Sequence, residues 1–235
     1  MKNIAVILAG GVGSRLGADI PKQFLKVAGR MVIEHTIDAF DRHPLIDEVC
    51  VVVHPEWVSF MRDQAGRNNW RKVAKIVAGG SERYMSTLEA LRAYADEPGD
   101  SRMLLHDAVR PLVSPSLIAD VCKALDSHRA AGAAVACTDT IWKVEDGKVV
   151  SIPDRKSLMR AQTPQGFRLE VIRKAYERAR LSEQIPATDD CGMVMRYAPE
   201  EEVYVVMGDE SNIKVTYPRD VEILGQTITN IKQSK

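Results

Sequence analysis

The residues that could do chemistry sit in short polar segments, each following an apolar run. The first is Leu8-Ala-Gly-Gly-Val-Gly-Ser-Arg-Leu-Gly17, which continues directly from the apolar stretch 4–8. Glycines let a backbone turn tightly and bring its N–H groups onto an anion. A dinucleotide fingerprint is met at Gly11 and Gly13 but carries Leu16 where its third glycine should be. A P-loop needs Gly-Lys-Ser/Thr, and Gly13-Ser-Arg15 does not supply it. What remains is a nucleoside triphosphate loop with its cations beside the glycines: Arg15, and Lys22 in Ile20-Pro-Lys-Gln-Phe24. A plain strand-to-helix turn with a solvated Arg and Lys is the bland alternative.

Other polar segments follow in the same manner. Gly79-Gly-Ser-Glu-Arg-Tyr-Met-Ser86 could read a base edge through backbone groups, or be a simple capped loop. His106-Asp-Ala-Val-Arg-Pro111 places one carboxylate at a strand end, where Asp107 is a candidate Mg²⁺ ligand, directly or through water, or one half of a surface Asp–Arg pair. His106 reads as a structural histidine. Asn212-Ile-Lys-Val-Thr216 reads as a strand with a single lysine among apolar residues. Lys214, if it faces a sheet edge, needs an anionic partner. Thr188-Asp-Asp190 reads first as a helix N-cap with acidic first-turn residues.

The elements that must position these groups alternate in type. Buried strands are expected at 4–8, 49–53, 73–77, 103–105, 133–137 and 203–206. Helices are expected at 31–43, 57–68, 86–95, 115–128, 169–179 and 188–196, with a last one from 218. Continuous apolar strands alternating with helices predict a Rossmann-like α/β fold: a mainly parallel sheet with helices on both faces and its ligand site at the strands' carboxyl ends. Residues 140–155 break the pattern with a hairpin around Glu145-Asp-Gly147. That hairpin is too small to fold alone and is expected to lean on a second subunit. The 235 residues are expected to form one domain.

Net charge is zero, with 32 basic and 32 acidic residues, which argues against a broad nucleic-acid-binding surface. A few focused cations would still hold a small anion. No apolar run approaches the ~18 residues of a membrane span, and the N-terminal run is too short for a signal peptide. The four cysteines lack metal or disulfide spacing. A cytoplasmic protein with neither nucleic-acid nor membrane partner is expected.

Taken in order, Leu-Ala-Gly-Gly-x-Gly-x-Arg, Pro-Lys-Gln-Phe, Gly-Gly-x-x-Arg-x-x-Ser, His-Asp-x-x-Arg-Pro, Asp-Thr, Asp-Arg, Gln-Thr-Pro-Gln, Thr-Asp and Asn-Ile-Lys-Val-Thr resemble one family over about residues 3–225. It is that of the cytidylyltransferases making CDP-methylerythritol or CDP-ribitol. The resemblance implies that CTP is held by Leu8, Ala9, Gly10, Gly11 and Gly13, with Gly80, Arg83 and Ser86 recognising the cytidine. It implies that Arg15 and Lys22 stabilise the transition state, and that Arg155 and Lys214 orient the acceptor phosphate. Asp107, Arg110, Thr140, Thr163 and Thr188 would line the acceptor pocket, with Mg²⁺ as cofactor. It also implies a homodimer in which an arm at about 138–157 crosses to its partner.

The substrates implied are CTP and a small alditol phosphate. Leu8-Ala-Gly-Gly11, Val53-His-Pro-Glu-Trp57, Asp139-Thr-Ile141 and Ile152-Pro-Asp-Arg155 resemble the ribitol branch, whereas Ala108 resembles the isoprenoid branch. D-Ribitol 5-phosphate is the first expectation and 2-C-methyl-D-erythritol 4-phosphate the alternative. A non-catalytic nucleotide-binding dimeric scaffold is the reading from another class.

Overall fold

A computed structural model describes residues 1–11, 20–182, 185 and 188–233. In chain order its strands are β1 (Asn3–Ala9), β2 (Lys26–Val27), β3 (Arg30–Met31), β4 (Glu48–Val53), β5 (Val73–Ala78), β6 (Arg102–Asp107), β7 (Ala130–Ala136), β8 (Lys143–Glu145), β9 (Lys148–Ser151), β10 (Met159–Arg168) and β11 (Val203–Met207). The helices are α1 (Val32–Asp41), α2 (Val58–Asn68), α3 (Arg83–Ala93), α4 (Pro115–Ser127), α5 (Leu169–Ala179), α6 (Asp190–Tyr197) and α7 (Pro218–Gln233).

Seven strands form the main sheet in the order β11-β7-β10-β6-β1-β4-β5. β1 is an interior strand and pairs in parallel with β4 and β6, as β4 does with β5 and β7 with β11. Only β10 runs antiparallel to its neighbours β6 and β7. Successive strand side chains point to opposite faces, so β1 divides its apolar residues between two cores. Ala5, Ile7 and Ala9 join Phe40, Met61 and Leu117 beneath α1, α2 and α4. Ile4, Val6 and Leu8 join Leu91, Ile172 and Val194 beneath α3, α5 and α6. That double burial is why β1 reads as an unbroken apolar run. A third cluster seats Leu224 and Ile228 of α7 on Val27, Val32, Val109 and Val215.

The mainly parallel α/β architecture expected from the sequence is present. Two elements differ. Residues 212–216 form no strand but an irregular segment, tied to the 108–110 turn by the Val215 N–H donating to the Val109 carbonyl at 2.9 Å. β10 has no counterpart in the sequence reading. It contains Pro164, and its pairing with β7 shifts between Ala161 and Gln165, which frees the strand from needing an N–H there. The hairpin β8–β9 turns at Asp146 and Gly147, both with positive φ, and residues 138–152 are exposed throughout.

Candidate active site

The carboxyl ends of β1, β5 and β6 open onto a cavity of about 370 Å³. After β1 come Leu8, Ala9, Gly10 and Gly11; after β5 come Gly80 to Arg83, with Ser86 from the first turn of α3. β6 delivers Asp107, the segment before α7 delivers Lys214, and the short 3₁₀ turn Lys22–Phe24 delivers Lys22. This is the crevice at strand carboxyl ends where open α/β sheets take ligands.

The glycine segment is shaped from both sides. The buried Gln23 side chain donates through Nε2 to the Ala9 carbonyl at 2.7 Å and to the Gly11 carbonyl at 3.0 Å. The residue next to Lys22 thus clasps the loop that leaves β1. Across the loop, a Cβ on Gly10 would lie 2.7 Å from Ser86 Oγ. A side chain at position 10 would displace the Ser86 hydroxyl, the atom that lies closest to it across the cavity.

Charge converges on Asp107, which is 7% exposed. Lys214 Nζ lies 2.8 Å from Asp107 Oδ2, Arg110 Nε 3.6 Å from the same oxygen, and Arg83 Nε 3.5 Å from Oδ1. Burial alone would push this carboxyl up; the charges of Lys214 and Arg83, the Lys214 hydrogen bond and Arg110 outweigh it, holding the group well below the usual carboxylate range. Arg83 also donates to Asp190 Oδ2 at 2.5 Å, and burial, which favours its loss of charge, is overridden by Asp190 and Asp107. Asp190 is fully buried and accepts from Thr87 at 3.0 Å and from Tyr176 at 2.6 Å. Arg83 Nη2 is a buried donor with no hydrogen-bond partner among the described residues. Lys22, Arg83, Arg110 and Lys214 outnumber Glu82, Asp107 and Asp190 by one, so the pocket and its immediate surroundings carry a small surplus of positive charge for a polyanion.

His106 lies beneath this cluster. Its Nε2 is 3.1 Å from the Arg110 carbonyl, which can only accept, so Nε2 carries the proton. Nδ1 then accepts from the Thr163 hydroxyl at 3.0 Å, and Thr163 Oγ1 accepts from the Asp107 N–H at 3.1 Å. Burial pushes this imidazole down to about 4. It is a neutral strut with both ring nitrogens engaged, as the structural reading of His106 expects.

Of the residues singled out from sequence, Leu8, Ala9, Gly10, Gly11, Lys22, Gly80, Arg83, Ser86, Asp107 and Lys214 line one cavity. Arg110 reaches it through Asp107. Thr163 stands behind Asp107 with its hydroxyl committed inward. Thr140 and Arg155 lie exposed on the hairpin arm and its base, Arg155 Nη1 donating to the Thr138 carbonyl at 3.2 Å, and neither lines the cavity of its own chain. Thr188 is exposed; Asp189, not Thr188, caps α6, accepting from the Gly192 N–H at 2.8 Å. Arg15 and Gly13 fall outside the described residues. Gln23, Gln162 and Asn212 were not singled out as site residues, because a buried amide bonded to backbone looks like any polar loop residue until its partners are known; Asp190 was read only as a first-turn acid of α6, and its side-chain partners Arg83, Thr87 and Tyr176 lie elsewhere in the sequence or on another helix.

Asp107 does not fit a direct metal ligand, since both its oxygens already face cations. Among the described residues no group of three acidic, histidine or cysteine side chains is placed to hold an ion. Nor, among them, is any helix long and apolar enough to cross a membrane.

A glycine-lined, cation-rimmed cavity at the carboxyl edge of a doubly covered sheet defines a nucleotide-binding α/β protein. The profile of the 2-C-methyl-D-erythritol 4-phosphate cytidylyltransferase family (IspD) matches residues 3–229. The chain belongs to this family and is a cytidylyltransferase. It is 45% identical over 224 residues to the 2-C-methyl-D-erythritol 4-phosphate cytidylyltransferase of Thermobifida fusca, covering 93% of this chain and 90% of that one. It is 41% identical to the bifunctional ribulose 5-phosphate reductase/CDP-ribitol pyrophosphorylase Bcs1 of Haemophilus influenzae, matching 94% of this chain but 47% of that protein. The crystal structure of 4-diphosphocytidyl-2C-methyl-D-erythritol synthase from Anaerococcus prevotii superposes with a TM-score of 0.85 at 30% identity, covering 97% and 98% of the two chains.

Proposed function

We propose that the protein transfers CMP from CTP to 2-C-methyl-D-erythritol 4-phosphate, releasing pyrophosphate. The observation that carries the reaction class is the convergence of Lys22, Arg83 and Lys214 on the glycine segment in one cavity. The acceptor rests on the family profile and on the Thermobifida fusca relative, which favour it over the ribitol 5-phosphate put first by the loop sequence. Ribitol 5-phosphate is the second reading, favoured by the Haemophilus influenzae relative and by Leu8-Ala-Gly-Gly11.

In this reading the acceptor's phosphate oxygen attacks the α-phosphorus of CTP in line. One P–O bond forms, the bond to the bridging oxygen breaks, and the electron pair leaves with pyrophosphate. A phosphate monoester is already ionised at neutral pH, so no base is needed, which agrees with a His106 whose nitrogens are both occupied. The difficulty is bringing one anion onto another. Backbone N–H groups of 8–11 and 80–85 would hold the nucleotide, Lys22 with Arg15 would neutralise charge on the transferring group, and Lys214 would turn from Asp107 to the acceptor phosphate. Mg²⁺ bound to the CTP phosphates would supply further charge neutralisation there.

Thr140 and Arg155 would act in trans. The hairpin exposes Ile141, Trp142, Val144, Val149, Val150 and Ile152, an apolar surface larger than scattered exposed residues produce. Docked on a second copy, it would bring Thr140 and Arg155 to the partner's cavity. The test of the chemistry is pyrophosphate release from CTP and Mg²⁺ with each acceptor in turn. Turnover with 2-C-methyl-D-erythritol 4-phosphate supports the reading; release with neither acceptor sinks it.

A further inference from the structure

Lys214 reaches Asp107 from a segment with no regular secondary structure, so something other than a helix or a ladder must fix it. The fixing group is a pair of buried amides. Gln162 of β10 is 6% exposed; its Nε2 donates to the Asp209 carbonyl at 2.8 Å, and its Oε1 accepts from the Asp209 N–H at 3.4 Å and from Asn212 Nδ2 at 3.2 Å. Asn212 is fully buried, and its Nδ2 also donates to the Thr163 carbonyl at 2.9 Å. Arg110 Nη1 donates to the Asn212 carbonyl at 2.8 Å. The Gly208 N–H donates to the Ala134 carbonyl at 2.8 Å, and a Cβ on Gly208 would strike the Gln162 amide. Residues 208–212 are thereby registered against β10 and β7, two residues before Lys214.

We infer that Gln162 and Asn212 form a clamp that positions Lys214 for the acceptor phosphate, a role beyond holding the chain folded. The alternative is that the amides merely satisfy one another in the core. Two features argue for positioning. The clamp grips the same Thr163 whose hydroxyl accepts from the Asp107 N–H, so the lysine and its carboxylate partner are set from one strand. Its other contact is Arg110, the third cation on Asp107. Every side-chain polar atom of the pair except Asn212 Oδ1 has a hydrogen-bond partner, which fixes the geometry of the amides and suits a group that must hold a flexible lysine within reach of two anions in turn.

The inference rests on the proposed role of Lys214, and the experiment separates the two. Asn212→Ala, Gln162→Ala, Lys214→Ala and both double variants would be assayed for kcat and KM of the acceptor, with CTP affinity by calorimetry and thermal melting alongside. With Lys214 present, either amide variant should raise the acceptor KM or lower kcat/KM about tenfold or more while CTP affinity stays within about twofold. In the Lys214→Ala background the same substitution should cost less than about twofold, because residues acting as a unit are not additive. Additive losses, or losses of CTP affinity equal to those for the acceptor, would overturn the clamp and leave Lys214's own role standing. A silent Lys214→Ala would overturn both. Gln162→Ala and Asn212→Ala remove opposite halves of the clamp, so a variant that does not fold still leaves the other to decide.

Discussion

Three cations meet one carboxylate at Asp107, and that arrangement sets what single substitutions should do. Lys22→Ala is expected to lower kcat by about 10²–10³, the usual cost of deleting one charge-stabilising donor, with the melting temperature unchanged; near wild-type kcat would remove Lys22 from the transition state. Gly10→Ala puts a methyl 2.7 Å from Ser86 Oγ. It should weaken CTP binding about tenfold or more through displacement of the Ser86 hydroxyl from the cavity wall, read by calorimetry, and unchanged affinity would mean that this hydroxyl does not contribute to binding. His106 is held neutral by burial, down to about 4 against an ordinary value near 6.5. Above pH 6.5 it contributes nothing to pH dependence. As pH falls from about 6.5 to about 4 the unfolded chain binds the proton first, so on the order of 3 kcal/mol of stability is lost, levelling off below that. Asp107 is depressed instead, so its contribution is present above about 4 and drains away at more acid pH. His106→Gln should therefore flatten the fall in urea midpoint between pH 7.5 and 4.5, and an unchanged slope would assign that fall to other groups. At this scale the sequence showed charge better than neutrality: lysines, arginines and glycines stood out by spacing, whereas Gln23, Gln162 and Asn212 act through backbone partners 12 to 49 residues away, which no local pattern encodes.

The elements that carry the site were legible where burial is uniform. β1 from Ile4, β4 from Val49 and β6 over Met103–Leu105 are apolar because helices cover the sheet on both faces, and α5 begins and ends where the sequence reading put it, at Leu169–Ala179. β10 was not legible. Gln162-Thr-Pro-Gln165 has neither apolar alternation nor a β-branched run, yet all four residues are buried, their polar groups bonded to His106, Asp189, Asp209 and neighbouring backbone. The segment with Lys214 failed the other way: Ile213 and Val215 suggested a strand, but Val215 is simply an anchor beneath α7. The hairpin was found, because Asp146-Gly147 supplies the positive φ values such a turn requires. Its exposed Trp142, 61% accessible in the single chain, gives a test of the arm. Trp142→Ser should shift the protein toward monomer by analytical ultracentrifugation and lower turnover without altering the melting of the monomer. A wild-type chain that is monomeric at assay concentrations would contradict docking of the arm.

For the whole molecule, the sheet with its cavity and the cytidylyltransferase family agree, and both were within reach of the sequence because ordered motifs along the chain mark successive strand ends. Acceptor identity was less legible. In the proposed reading it would turn on a few side chains around Asp107 and on Thr140 and Arg155, which in the single chain lie outside the cavity. Loop sequence pointed to ribitol 5-phosphate, while the family profile and the Thermobifida fusca relative point to 2-C-methyl-D-erythritol 4-phosphate. The decisive measurement is steady-state pyrophosphate release with CTP and Mg²⁺, run with the two acceptors side by side. The expected result is a kcat/KM for 2-C-methyl-D-erythritol 4-phosphate about tenfold or more above that for ribitol 5-phosphate. The reverse ratio would reassign the acceptor and leave the chemistry intact, and absence of release with both would contradict CMP transfer to an alditol phosphate altogether.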